Sequence, residues 1–220
     1  MSDFSLWDIY RNLLLALRWT VGLSAIAFAG GGIVGAILLV FRLSHRRWLQ
    51  VLVILYVNLF QGTPLLLQLF LTYFGLALLG VDTSPLFAAS LCLTLYASAY
   101  LAEIWRGSVE SIPRQQWEAS ASLALTFGEQ LRYVILPQAL RVAVAPTVGF
   151  LVQAVKATAL ASVIGFVELT RSGQIISNAT FAPFLVYGSV AALYFILCFP
   201  LSWWSRHLEK QLIQGADGHD

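Results

Sequence analysis

The chain has 220 residues, of which 59% are apolar and 11% charged, where a soluble globular domain carries roughly 25% charge. That balance excludes a water-soluble fold and an intrinsically disordered chain, and a formal net charge of +2 excludes binding nucleic acid through overall basicity. Cys92, Cys198 and the scattered His45, His207 and His219 lack the spacing of a metal or catalytic cluster.

A helix needs about 20 apolar residues to cross about 30 Å of hydrocarbon. Met1 to Asn12 lacks the basic start of a signal peptide, so the first span, about 19–41, is expected to be an uncleaved anchor. Arg42, His45, Arg46 and Arg47 close it. A second apolar stretch, about 51–79, is interrupted by Gln61-Gly62-Thr63-Pro64, which predicts a kinked span or an interfacial helix leading into a short one. The third span runs over about 86–105, the fourth over about 142–164 and the fifth over about 184–204. Trp19, Trp48, Trp105, Trp203 and Trp204 fall near the expected ends, where interfacial aromatics sit. Gly31 and Gly35 form a small-xxx-small pattern that predicts close helix packing.

Positional charge then orients the spans. Arg42, Arg46, Arg47, Arg106, Arg114, Arg132, Arg141, Arg206 and Lys210 fall on one side, and Arg11, Arg18 and Arg171 on the other. Nine against three predicts an N-terminus outside and a C-terminus in the cytoplasm. The fold class is therefore an all-α membrane protein with five transmembrane helices in one domain, and the longest loop, about 106–141, is cytoplasmic.

That loop is patterned. Ser111-Ile112-Pro113 is expected to start a short helix from Arg114 to about Leu125, with Ser111 as N-cap and Pro113 in the first turn. The spacing puts Trp117, Ala121 and Ala124 or Leu125 on one face, with Glu118 and Ser122 beside it. Thr126-Phe127-Gly128-Glu129 has capping-box spacing and predicts a second short helix that ends before Pro137. Two short helices joined by a sharp turn make a knob suited to a partner's groove.

Glu118-Ala119-Ser120-Ala121-Ser122-Leu123-Ala124-Leu125-Thr126, followed by Val134-Ile135-Leu136-Pro137-Gln138-Ala139-Leu140, resembles the EAA loop of ABC importer permeases. Further blocks, Tyr56 to Leu66, Ala99 to Gly107, Gln116 to Ala119 and Lys156 to Gly165, resemble the histidine/glutamine/arginine permease family, polar amino-acid importers. The resemblance covers most of residues 51–169. It implies an inner-membrane permease working with a dimer of cytoplasmic ABC ATPase subunits, a second permease subunit, identical or paralogous, and a periplasmic or extracytoplasmic amino-acid-binding protein. ATP and Mg would be bound by the ATPase, since this chain lacks a Gly-x-x-x-x-Gly-Lys-Ser/Thr segment and any catalytic residue.

The same resemblance makes Glu118, Ala119, Ser120, Ala121, Ala124, Leu125 and Pro137 the ATPase-coupling loop, with Glu118 as the charged contact and the alanines allowing close approach. Two departures stand out. The family usually has Gly where this chain has Ala124; Ala resists a positive φ, so the turn is expected to be made differently or by Gly128. Gln61 replaces the Arg that often precedes Gly-Thr-Pro.

Inside the spans, Asn58, Gln61, Thr63, Gln68, Lys156 and Thr158 are candidates to line a translocation path or contact substrate. Helix-to-helix hydrogen bonding is the alternative for the polar groups of span two. An unpaired ammonium near the bilayer centre costs at least ~2.5 kcal/mol. Lys156 is therefore expected to meet a substrate carboxylate, to pair with Glu103 or Glu168 in a gating contact, or to snorkel to an interface. Glu103 with Arg106 also reads as a local ion pair. A competing class is a stand-alone channel or secondary transporter with Lys156 as its coupling or selectivity group, although no internal repeat is present.

Overall fold

In a computed structural model, which describes residues 5–217, the chain is helical throughout, with short connections. Helix α1 spans Leu6–Leu43, α2 Arg47–Gly62, α3 Leu65–Leu78 and α4 Pro85–Glu110. After a short α5, Arg114–Ser122, one turn of α6, Phe127–Glu129, passes through π turns at Gln130–Ile135 into α7, Leu136–Ala157. A 3₁₀ segment, Thr158–Ile164, precedes α8, Leu169–Thr180, and α9, Pro183–Asp217. Four helical stretches are long and apolar enough to span a membrane, and α2 with α3 makes a fifth span only as a bent pair.

The first span begins well before residue 19, at Leu6. Ser5 and Asp8 form a capping box: the Asp8 amide donates to Ser5 Oγ at 3.2 Å and the Ser5 amide to the Asp8 carboxylate at 3.2 Å. The extra turns persist because their inner face, Ile9 and Leu13, is buried against Leu169, Ile176 and Val186 of α8 and α9. At 38 residues and 1.5 Å per residue, α1 is about 57 Å long, more than a bilayer core requires.

Helices α1 and α4 form the densest contact in the bundle, and glycine sets their separation. A Cβ on Gly31 would lie 2.5 Å from the Cβ of Ala97, and one on Gly35 would lie 3.1 Å from the Ser98 carbonyl oxygen. The small-xxx-small pattern is thus a packing device here.

The second span breaks at Pro64 with a bend of 103°. Proline has no N–H to donate and pushes its predecessor to extended backbone, which Thr63 adopts at φ −118°, ψ 144°. The carbonyls freed at the break find local donors. Gln68 Nε2 donates to the carbonyls of Phe60 at 2.9 Å and Thr63 at 3.0 Å and to Thr63 Oγ1 at 2.8 Å, while the Thr63 hydroxyl donates to Leu59 at 2.7 Å.

The loop between α4 and α7 differs from its expected outline. Ser111 ends α4, its hydroxyl donating to the Ser108 carbonyl at 2.8 Å; Pro113, in extended conformation, precedes α5 without a side-chain cap. Thr126 and Glu129 do make their capping box, the Thr126 amide donating to Glu129 at 2.8 Å. That helix does not stop before Pro137. Its ladder has already shifted to the wider π register over Gln130–Ile135, so Pro137 falls in the first turn of α7, where a missing N–H is tolerated. Only α5 is a separate short helix; the second, expected to be separate, runs on through the π turns into α7.

Candidate functional site

Helix α5 carries the motif residues of the loop. Trp117 and Ser120 form its inner face, Trp117 against Ile135 and Ala139, and the Ser120 hydroxyl donates to the Trp117 carbonyl at 2.8 Å. Glu118, Ala119, Ala121 and Ala124 are exposed, Leu125 is half-buried and Pro137 is exposed. The expected face of Trp117 with Ala121 is therefore rotated: Ser120, not Ala121, lies beneath Trp117. One charged side chain flanked by three methyl-sized residues leaves a low surface over which another helix or a cleft wall can pass closely.

Ala124 itself makes the turn that ends α5, in the left-handed region at φ +57°. Its amide donates to Ala121 at 2.9 Å and that of Leu123 to Ser120 at 3.3 Å, so the carbonyls of the last turn are paired at the expense of strain at a Cβ-bearing residue. Gly128 sits inside α6 and takes no part. The knob is locked to the bundle by an aromatic stack invisible in the linear sequence. Trp117 lies face to face with Phe127 at 5.9 Å, and Phe127 meets His45 of the α1–α2 turn at 4.6 Å.

The polar candidates separate into two groups. Thr63 and Gln68 are engaged in the Pro64 break, and Thr158 is buried with its hydroxyl donating to Val155 at 2.7 Å. Asn58 and Gln61 instead line a polar cleft of about 110 Å³ with Arg42 and Glu103, at the meeting of α1, α2 and α4. Arg106 binds both Glu103 and Glu110, and these are the salt bridges among the described residues.

Lys156 therefore pairs with neither Glu103 nor Glu168. It is exposed in the last turn of α7, just before the 3₁₀ segment, on the same outward stripe as Pro146 and Gln153. Glu168 is fully buried and acts as the N-cap of α8: Oε1 accepts from the Arg171 amide at 2.8 Å, and Oε2 accepts from the Thr170 amide and the Tyr194 hydroxyl, each at 2.9 Å. Thr20 of α1 joins the cluster, its Oγ1 accepting from the Leu169 amide at 3.1 Å. Burial pushes the Glu168 carboxyl above the usual carboxylate range, and the hydrogen bonds from the α8 amides and Tyr194 offset that only partly. Glu168 thus closes a polar tie among α1, α8 and α9. Thr20 and Tyr194, its other members, carry no sequence signal, being 148 and 26 residues away from Glu168.

One family model, the binding-protein-dependent transport system inner membrane component, matches residues 14–214. The chain belongs to this family. It is accordingly an integral protein of the inner membrane. Among similar permeases, the L-cystine transport system permease protein TcyB of Bacillus subtilis is 35% identical over 94% of this chain and 88% of its own. The glutamine transport system permease protein GlnP of Escherichia coli is 33% identical, covering 94% of this chain and 96% of its own. The crystal structure of an amino acid ABC transporter with histidines superposes with a TM-score of 0.89 at 30% identity, over 96% of this chain and 99% of that one.

Proposed function

We propose that this permease is the membrane-spanning subunit of an ATP-driven importer for polar amino acids. The observation that carries the reading is the exposed Glu118 surface of α5, packed through Trp117 against the ends of α4 and α7, in a chain whose relatives are named as amino-acid permeases. A cytoplasmic ATPase dimer, which binds the ATP and Mg, engages α5 through Glu118, Ala119, Ala121 and Ala124. Its closure moves α5 and, through the Trp117 packing, α7. A second permease subunit completes the path, and an extracytoplasmic binding protein delivers the substrate. The nine-to-three basic asymmetry supports an N-terminus outside and a C-terminus in the cytoplasm.

Within the path, Asn58, Gln61 and the exposed Lys156 are the groups free to meet substrate or the second permease, because Thr63, Gln68 and Thr158 have bonding duties in the fold. An exposed ammonium in a span is tolerated only against water, an anion or a partner, and an amino-acid carboxylate supplies such an anion. Reversing the charge at α5 tests the coupling: Glu118→Lys is expected to insert normally in the membrane yet to abolish both transport and transport-coupled ATP hydrolysis in reconstituted vesicles. Near-normal coupled activity would refute it. Full transport by the chain alone in a proton or sodium gradient would favour the secondary-transporter class instead.

A further inference from the structure

A groove open to the bundle surface runs between α1 and α7. Its inner part, about 270 Å³, is walled by Ala36 and Leu39 of α1 and Leu136, Ala139, Leu140 and Ala143 of α7, with Trp105 and Val109 of α4 as its floor. Only apolar side chains line it. Leu39 and Leu136 also bound a second cavity of about 380 Å³, which continues the groove past Val40, Leu43, Phe127 and Leu131 to Ser44 and His45. From Ala36 to Leu43, and from Leu136 to Ala143, each wall is about 10 Å long at 1.5 Å per residue. This is a narrow apolar channel along helix axes, closed by helix on three sides and ending at a turn.

The turn is strongly basic. Arg42, His45, Arg46 and Arg47 fall within six residues, and no Asp or Glu lies between Asp8 and Asp82. His45, Arg46 and Arg47 are exposed, and neither arginine enters a salt bridge among the described residues. We propose that the groove binds one anionic phospholipid, an acyl chain lying between α1 and α7 and the phosphate held at the Ser44–Arg47 turn. Charge complementarity selects this occupant. An apolar partner helix would not need the basic mouth, and a zwitterionic lipid would gain nothing from it. The site lies where α1 turns into α2, beside the Phe127 and His45 contact that holds the α5 knob. It is independent of the transported substrate.

Native mass spectrometry tests the site on the full-length chain purified in mild detergent, with any copurifying subunits retained, titrated with phosphatidylglycerol and phosphatidylcholine of matched chains. Phosphatidylglycerol is expected to bind more tightly. Replacing both arginines, Arg46→Gln with Arg47→Gln, should weaken it about 25-fold, about fivefold for each charge removed near a membrane surface. Filling the groove with Leu140→Trp should weaken it at least as much; Val40→Trp serves if that variant does not purify as a single species, both positions being largely exposed. Inorganic phosphate should fail to displace the lipid, and Arg171→Gln should leave binding unchanged. Equal binding of the two lipids, or arginine variants that bind as the parent does, would overturn the site. Loss on arginine replacement with full binding by both groove-filling variants would overturn the acyl-chain placement, as would displacement by phosphate.

Discussion

Replacing Ala124 by glycine isolates the strain in the turn that ends α5. A residue with a Cβ in the left-handed region costs about 1–2 kcal/mol per residue, and Ala124 sits there at φ +57°. Glycine removes that cost and gives back part of it as unfolded-chain entropy, about 0.5–1 kcal/mol. Because Ala124 is exposed, losing its methyl opens no cavity, so the net stabilisation is about 0.5–1 kcal/mol. The gain falls on local opening of the turn, and hydrogen exchange reads it at the Leu123 and Ala124 amides, whose acceptors are Ser120 and Ala121. A gain of that size slows exchange by roughly two- to fivefold. Gly128→Ala is the reciprocal control. Gly128 is helical and a Cβ there meets nothing within 4 Å, so alanine should stabilise by up to about 1 kcal/mol. Faster exchange in Ala124→Gly, or destabilisation by Gly128→Ala, would refute the reasoning and return the turn to Gly128.

Gly31→Ala should lower the melting temperature of the detergent-purified protein, because its Cβ would stand 2.5 Å from that of Ala97; overpacking of this kind costs about 1–3 kcal/mol. Ala97→Gly in the same chain should restore part of the loss, since the Ala97 and Ser98 backbone at 3.1 Å remains in the way. At Glu168 the folded carboxyl is held above its unfolded value by burial. The stability its protonated form contributes is complete below the ordinary glutamate range and is lost as pH rises through the folded value. The melting temperature of the parent should therefore fall, relative to Glu168→Gln, as pH rises above the ordinary glutamate range; parallel curves would show that the carboxyl is not shifted upward.

Much of the membrane architecture follows from local chemistry, and it is there that expectation and structure agree. Pro64 removes a donor wherever it stands, so the break in the second span was legible from Gln61-Gly62-Thr63-Pro64. The Thr126–Glu129 capping box was legible for the same reason, since both partners lie within one turn. The early start of α1 has an equally local cause in Ser5 and Asp8, but hydropathy ranks that polar stretch as outside the membrane. Its inner face becomes apparent only beside α8 and α9. At the candidate site, Glu118 and its alanine neighbours on α5 are exposed, whereas burial of Ser120 depends on which way Trp117 rolls the helix.

Composition, apolar run length, and the positions of prolines, caps and glycines determined by themselves that this chain is a helical membrane protein with one broken span and a patterned loop. Each of those signals acts within a few residues, through backbone hydrogen bonding or the transfer of apolar surface from water. Tertiary structure alone decided the work of the scarce polar groups. Glu168 ties α8 to Thr20 of α1 and Tyr194 of α9. Lys156 is left facing outward. A buried polar side chain needs partners, and those of Glu168 arrive from α1 and α9, distant in sequence, so their assignment had to await the packing that brings them together.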